Sequence, residues 1–458
     1  MELIHTLKQT LADPATVERF RVAPSDWTRQ RTLTFTLVVL LILQGHKQAF
    51  QNALNKLFSA RGKVRQVPTA SALCQARQKL RPELFLHLNQ VVVESFYQLP
   101  AADVTLVTAE DGAGTTGAGT TGTTGADVVW TWCGHRLLGV DGTCWNLPNT
   151  PANRDHFGSA TNQHDAVGCA QAQGSVLYDV LNDIGLNAVL EPVQAEKELM
   201  FAHHLKHTRV DDVIVMDRGY ADYSVLAFWV KHRREFVLRL PRSSFKAVRE
   251  FWQSDACEAV VTLHVTPDQR AFVRKNGLPT TLRVRLVKLF LDNDEVEVLA
   301  TSLLDAVRYS AGALGQVYAW RWRVETYIDR LKNIFEIERF GSQRREHLQQ
   351  DFYGVLFLAS LESVLSRRAS GELAQQSRRR GCRYTQQVNR AVSYSALLER
   401  TMVLLADERQ STEETLEELH HLFKTNPIPR RPGRHFSHER RTLSQKLRYH
   451  RYAKRALT

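Results

Sequence analysis

The sequence predicts an α/β fold whose core is interrupted by a mainly β insertion and flanked by helical regions at both ends. Three observations carry this reading. Apolar residues recur at helical spacing through about residue 100, as in Leu84, Leu88, Val91, Val92 and Phe96, and again after the middle of the chain. Between those regions lie short runs rich in Val, Ile, Leu and Thr, of strand length and bounded by turn residues. A tract of Gly, Ala and Thr alone, GAGTTGAGTTGTTG at 112–125, separates the first helical region from the strands.

The regions follow in order. In residues 1–100, TFTLVVLLILQ reads as a buried helix, and Pro68 and Pro82 mark breaks. Thr69 and Ser71 are cap candidates for a helix carrying Arg77, Lys79 and Arg81. Six Lys or Arg and no acid fall between Arg61 and Arg81, the charge pattern of a helical DNA-reading domain, with a solvated basic face as the plainer alternative. Residues 101–130 form a flexible linker; it contains G-x-G-x-x-G twice, without the following helix that a dinucleotide site needs. Residues 131–235 and 305–370 make the α/β core, with strands in RLLGVDGTCW, DAVGCAQAQ, SVLYDVLND and DDVIVMDRGY and a helical segment around Ala195 to Leu205. The β insertion spans 236–304, through EFVLRLP, EAVVTLHV, TLRVRLVKLFL and EVEVLATSL. Residues 371–426 are helical, and Leu397, Leu398, Val403 and Leu404 offer either an apolar surface for a second copy or packing within their own region. The last segment, 427–458, holds ten Lys or Arg and one acid, a basic tail suited to polyanions.

The whole chain is basic as well, with a formal charge of +12 and a pI near 9.5, which favours nucleic acid as partner over a membrane surface. Its longest apolar run, Leu37 to Leu43, is far shorter than the roughly 20 residues needed to span a bilayer. The N-terminus MELIHTLKQT does not have the form of a signal peptide. Six scattered cysteines without a C-x-x-C pair argue against a zinc ribbon or a disulfide framework, so a reducing cytoplasmic setting is expected.

The run YAWRWRVETYIDRLK places Tyr318, Arg321, Glu325 and Lys332 at Y-x2-R-x3-E-x6-K spacing. On one continuous helix these four share an arc of about 60°, beside an apolar stripe of Val317, Val324, Ile328, Leu331 and Phe335. Trp320 falls on the core side. An Arg and a Glu at this spacing are common on solvated helices, so the pattern gains meaning only from other acids nearby. Two are available. Asp141 follows the apolar run LLGV, and Asp217 follows VIVM, each with a glycine in the next two residues. An acid ending a buried strand either begins a turn or lines the sheet edge where α/β sites form. Three acids brought together repel, and divalent metal resolves the repulsion: two Mg²⁺ held by Asp141, Asp217 and Glu325 suit in-line phosphoryl transfer. Arg321 and Lys332 would then hold the DNA backbone, with Tyr318 hydrogen-bonding a phosphate. Asp329, one turn past Glu325, competes for the third ligand position.

With DGTCWNLPNT around Asp141 and DRGY at Asp217, this string resembles the DDE transposases of bacterial insertion sequences of the IS-four type. TRQRTLTF and SALCQARQKLRPELF are similar to that family's end-binding region, and the likeness covers roughly residues 25 to 365. The resemblance implies a ribonuclease H-like core, a catalytic triad of Asp141, Asp217 and Glu325, signature residues at Tyr318, Arg321 and Lys332, and Mg²⁺ with Mn²⁺ as substitute. It implies cut-and-paste transposition in a bacterial, nucleoid-associated setting: 3′-end cleavage at terminal inverted repeats, then strand transfer into target DNA by a homodimer. A transposon-derived DNA-binding protein without catalysis, and a metal-dependent nuclease without strand transfer, are the alternatives. The Gly/Thr tract departs from the family pattern. Hairpin-forming relatives stack a flipped base on an aromatic ring of the β insertion; no Trp occurs here from Gln253 to Tyr318, which leaves Trp322, Phe290 and Trp252 as candidates.

Overall fold

The structure, a computed structural model, describes residues 1–29, 31–45, 49–104, 128–162, 165–193, 200–291, 295–406 and 410–431. The Gly/Thr tract, the tail from residue 432 and the first part of the helical segment expected at Ala195 lie outside the described residues. The rest of that segment is a π-helical turn, Met200–His204, followed by a 3-10 turn, Leu205–His207.

Strands β1 (Ala101–Asp103) and β2 (Val129–Thr131) pair in parallel on either side of the tract. The main sheet has nine strands: β3 (Leu137–Asn146), β4 (Ser159–Asn162), β5 (Asp165–Asp179), β6 (Ile184–Glu191), β7 (Val213–Met216), β8 (Glu235–Arg239), β9 (Glu258–His264), β10 (Thr281–Phe290) and β11 (Val296–Thr301). Their order is β4-β5-β3-β7-β8-β11-β10-β9, with β6 also pairing β5. The β3–β5 and β5–β6 pairs are antiparallel, while β3–β7 and β7–β8 are parallel. All four residues of β7 are buried, which explains its unbroken apolar sequence VIVM: a central parallel strand is covered on both faces.

The β block at 236–304 is continuous with this sheet. Strand β8, read as its first strand, pairs in parallel with β7, and β11 pairs antiparallel with β8 through Leu299↔Arg239. Pairing in this way satisfies the backbone groups along β8 that an open edge would leave to solvent. The block also contains two short helices, Lys246–Gln253 and Arg270–Lys275.

Helices from both ends of the chain pack on one apolar core with the long helix Arg345–Arg379. At Gly354 of that helix, an added Cβ would lie 3.2 Å from Leu43 and 3.7 Å from Phe85, so the glycine sets how closely the N-terminal helices approach. Leu397, Leu398 and Leu404 are buried in the same cluster, because helix Arg390–Ala406 packs on helix Phe35–Gln44. Those leucines serve the chain's own core rather than a surface for a second copy. Among the described residues no helix is long and apolar enough to cross a membrane, and all six cysteines are free.

Candidate active site

Asp141 does not end its strand. It sits in the middle of β3, which continues to Asn146 as half of a hairpin with β5, where Asp141 is opposite Val176. The parallel pairing with β7 stops at Gly139↔Val215, so Asp141 emerges just past the last bond on that side. Asp217 directly follows β7 and caps the 3-10 turn Arg218–Tyr220, its Oδ1 accepting from the Gly219 amide at 2.8 Å. Adjacent parallel strands thus deliver both acids at the same sheet edge.

The segment that carries Glu325 was expected to be one helix and is two, Ala311–Ala319 and Trp322–Asn333. At the join, i→i+3 bonds run from Arg321 N to Tyr318 O (3.0 Å), Arg323 N to Trp320 O (2.9 Å) and Val324 N to Arg321 O (3.0 Å). This tighter turn alters the angular relation between Tyr318 and the residues after it. Tyr318 is buried, its ring 5.8 Å from the Arg321 guanidinium. Trp320 is buried in the core as expected. Trp322, 60% exposed, lies 4.6 Å from the Arg321 guanidinium.

Gly139 seats the second helix on β3. A Cβ there would come within 3.1 Å of both Val324 and Val180, contacts that only a bare backbone avoids. Val324 precedes Glu325, so this close approach brings the glutamate over Asp141. The electrostatics record the result: burial first, then Glu325 and Asp217, push the Asp141 carboxyl up to about 7 against the opposing Gly142 amide and Arg321. Glu325 accepts from Arg321 Nη1 at 2.6 Å. Asp329 is engaged elsewhere, accepting from Asn333 at 2.6 Å.

The donor set fits a divalent cation by its chemistry, three carboxylates whose mutual repulsion a hard cation offsets. Its geometry is open: among the described residues no three His, Cys, Asp or Glu side chains form a cluster able to hold a metal ion, and Arg321 is paired with Glu325.

Lys332 anchors the far end of the helix to β3, its ammonium donating to Thr143 Oγ1 (2.6 Å) and the Cys144 carbonyl (2.8 Å), with Glu338 3.8 Å away. Of the basic residues expected to read DNA, Arg77 is fully buried. It pairs with Asp351 at 2.6 Å, donates to Gln350 at 2.8 Å, and is unavailable to a ligand. The physical reason is local: helix Ala70–Arg77 ends at Arg77, on its inner face against the long helix. Lys79 and Arg81 lie beyond that helix, Lys79 3.9 Å from Asp26 and Arg81 donating to the Arg21 carbonyl. Of the aromatic candidates outside the signature helix, Phe290 is 68% exposed and Trp252 is half-buried, with both lining a cleft beside Lys288.

A half-buried ionic clamp escaped the sequence reading. Asp183, in the β5–β6 turn, accepts from Arg330 of the Glu325 helix and from Arg390 near the C-terminus, and Arg390 also reaches Glu362 at 2.7 Å. Arg323 donates to the Val180 carbonyl at 2.7 Å, and Tyr327 stacks on Tyr178 with ring centroids 4.5 Å apart. Pairing partners this far apart in sequence leave no local signal. The turn was not legible either: SVLYDVLND reads as one strand, but β5 ends at Asp179 and the rest of that run turns into β6.

The family model of the transposase DDE domain matches residues 132–361, half of the chain and the part that contains Asp141, Asp217 and Glu325. Transposase InsG for insertion sequence element IS4, from Escherichia coli strain K12, is 24% identical over 235 residues, covering 50% of this chain and 52% of that protein. The chain therefore aligns with about half the length of that curated relative. A piggyBac transposase synaptic complex with hairpin DNA is a structural neighbour with a TM-score of 0.41 and 9% identity, over 94% of this chain and 87% of that one. The chain belongs to the transposase DDE domain family.

Proposed function

We propose that the chain is a DNA transposase that cuts and joins DNA at the sheet edge carrying Asp141, Asp217 and Glu325. The observation that carries this is the mutual repulsion of three carboxylates, delivered by two adjacent parallel strands and a facing helix, within a transposase DDE domain. The strand order β6-β5-β3-β7-β8, antiparallel for three strands and then parallel, supports reading residues 131–235 and 305–370 as a ribonuclease H-like core. Residues 236–304 extend that core, 1–100 recognise transposon ends, with Lys79 and Arg81 retained as contacts and Arg77 removed, and 371–426 close the core.

Asp141, Asp217 and Glu325 would hold two Mg²⁺, or Mn²⁺ in their place. Bound there, the cations supply charge neutralisation for an attacking water or 3′-hydroxyl and for the leaving 3′-oxygen. The chain's own residues do the rest. Arg321, which packs near both the Tyr318 and Trp322 rings, pairs with Glu325 and would face the scissile phosphate if a bound cation held that carboxylate. Lys332 holds the helix at a set height over β3. Two ends must be held together for joining, so the DNA complex is proposed to contain a homodimer.

The test supplies uncut terminal repeats, precut ends and target DNA with Mg²⁺. Asp141→Asn, Asp217→Asn and Glu325→Gln are expected to abolish cleavage and joining while end binding persists. Full cleavage by the Glu325 variant would remove that residue from the site. Cleavage without joined products from the parent protein would make it a nuclease, and binding without either reaction a DNA-binding protein.

A further inference from the structure

The long helix Arg345–Arg379 ends in Arg378 and Arg379, with Arg380 as its cap. Gly381, at φ +62°, lets the chain reverse, and Cys382 N donates to Ser377 O at 3.0 Å. The buried Ser377 hydroxyl then accepts from Gln386 N at 2.8 Å, which pins the returning strand Gln386–Gln387. That strand pairs antiparallel with Ile428–Pro429, and Arg430 N donates to Thr385 O at 2.8 Å. The construction brings together Arg378, Arg379, Arg380, Arg383, Arg430 and Arg431, all exposed. Tyr384 lies among them, 5.2 Å from the Arg383 guanidinium and 5.8 Å from that of Arg431.

Among the described residues none of the six arginines forms an ion pair, although the chain supplies partners for many others. No acid occurs from Leu373 through Leu398, so the segment that supplies Arg378, Arg379, Arg380 and Arg383 carries no acid of its own. Compensation of the helix dipole accounts for arginines in the last turn, but not for Arg383, Arg430 and Arg431, which come from other segments. Guanidinium groups match the oxygens of a phosphodiester, and a ring beside two of them holds their planes in place. The platform's returning strand is also tied to the signature helix: three residues after Gln387, Arg390 pairs with Asp183, which pairs in turn with Arg330 of that helix.

We propose that this arginine platform is a second, sequence-independent grip on duplex DNA, binding phosphodiesters of the strand that passes the carboxylate site. The inference rests on the transposase reading and adds a contact surface to it. The test is fluorescence anisotropy of the full chain on two short duplexes, one of random sequence and one bearing the element's terminal repeat, across a range of salt. The combined R378Q/R379Q/R380Q/R383Q variant is expected to bind both more weakly, by about tenfold near 0.1 M salt, with the slope of log K against log salt reduced by about 0.9 per lost phosphate contact. The corresponding Arg→Lys variant should keep most of the slope. Parent affinity and slope in a variant that melts like the parent would overturn the platform, as would a loss confined to the terminal-repeat duplex. Should the quadruple variant melt early, R430Q/R431Q, outside the helix end, reads the same affinity and slope, and parent values there would overturn the platform in the same way. A parent chain that binds neither duplex would sink the transposase reading itself, together with this one.

Discussion

At the scale of single residues, the site depends on a missing side chain as much as on those present. Gly139 lets the helix of Glu325 sit on β3, and a methyl group there would press on Val324 and Val180. Overpacking of this kind costs about 1–3 kcal/mol, and displacing a catalytic group by even about 1 Å lowers rates by about a hundredfold. Gly139→Ala is therefore expected to lose far more DNA cleavage than thermal stability, and a variant that cleaves at the parent rate would refute the seating role. A second single-residue effect concerns acid. His204 is buried as the neutral ring, its Nδ1 accepting from Asn187 at 3.1 Å and its Nε2 meeting Ser175 at 2.9 Å. Burial, and then the charges of His207, His203 and Lys206, bring its pKa down to about 3. The folded value lies below the unfolded one, so this stability is complete above about pH 6.5 and is lost as the pH falls toward 3, at about 1.4 kcal/mol per unit. Denaturation curves at stepped pH should show a shallower decline for His204→Gln, and an unchanged decline would contradict the assignment.

At the scale of elements, the Glu325 helix is held at three heights: Lys332 on β3, Val324 on Gly139, and Arg330 on Asp183. Burial alone would raise the Asp183 carboxyl, but Arg330 and Arg390 hold it well below the usual carboxylate range. Removing its charge leaves two largely buried guanidiniums without this partner, a loss on the order of 3–5 kcal/mol. Asp183→Asn should shift the urea midpoint accordingly at pH 7, with the gap to the parent closing as acid protonates Asp183 in both states. A midpoint equal to the parent's would show that Glu362 alone satisfies Arg390. The broken helix makes a related point. The spacing alone reads Tyr318 to Lys332 as one rod, whereas three short-range backbone bonds divide it into two helices at Trp320 and Arg321.

At the scale of the molecule, the N-terminal helices are part of the same packed core as the main sheet's covering helix, and Arg77 is a strut between them. Arg77→Met is expected to destabilise the whole chain by about 3–5 kcal/mol, because it leaves Asp351 buried without its partner. The salt slope of DNA binding should be unchanged, and a slope lowered by about one unit would return Arg77 to the DNA-facing surface.

The sequence by itself determined the classes of element, the strand-rich middle and the acids worth watching, since burial periodicity and charge are written locally. Asp141 and Asp217 were visible because each directly follows an apolar strand run, and Glu325 because cations flank it at helical spacing. Only the tertiary structure decided which cations are surface and which are struts. Arg77 and Arg383 are indistinguishable by type and by local charge, yet one meets Asp351, 274 residues away, and the other faces solvent. Burial of a charge depends on a partner distant in the chain, and periodicity carries no information about that partner. For the same reason the Asp183 clamp and the arginine platform, each assembled from segments far apart in sequence, became apparent only once the chain was folded.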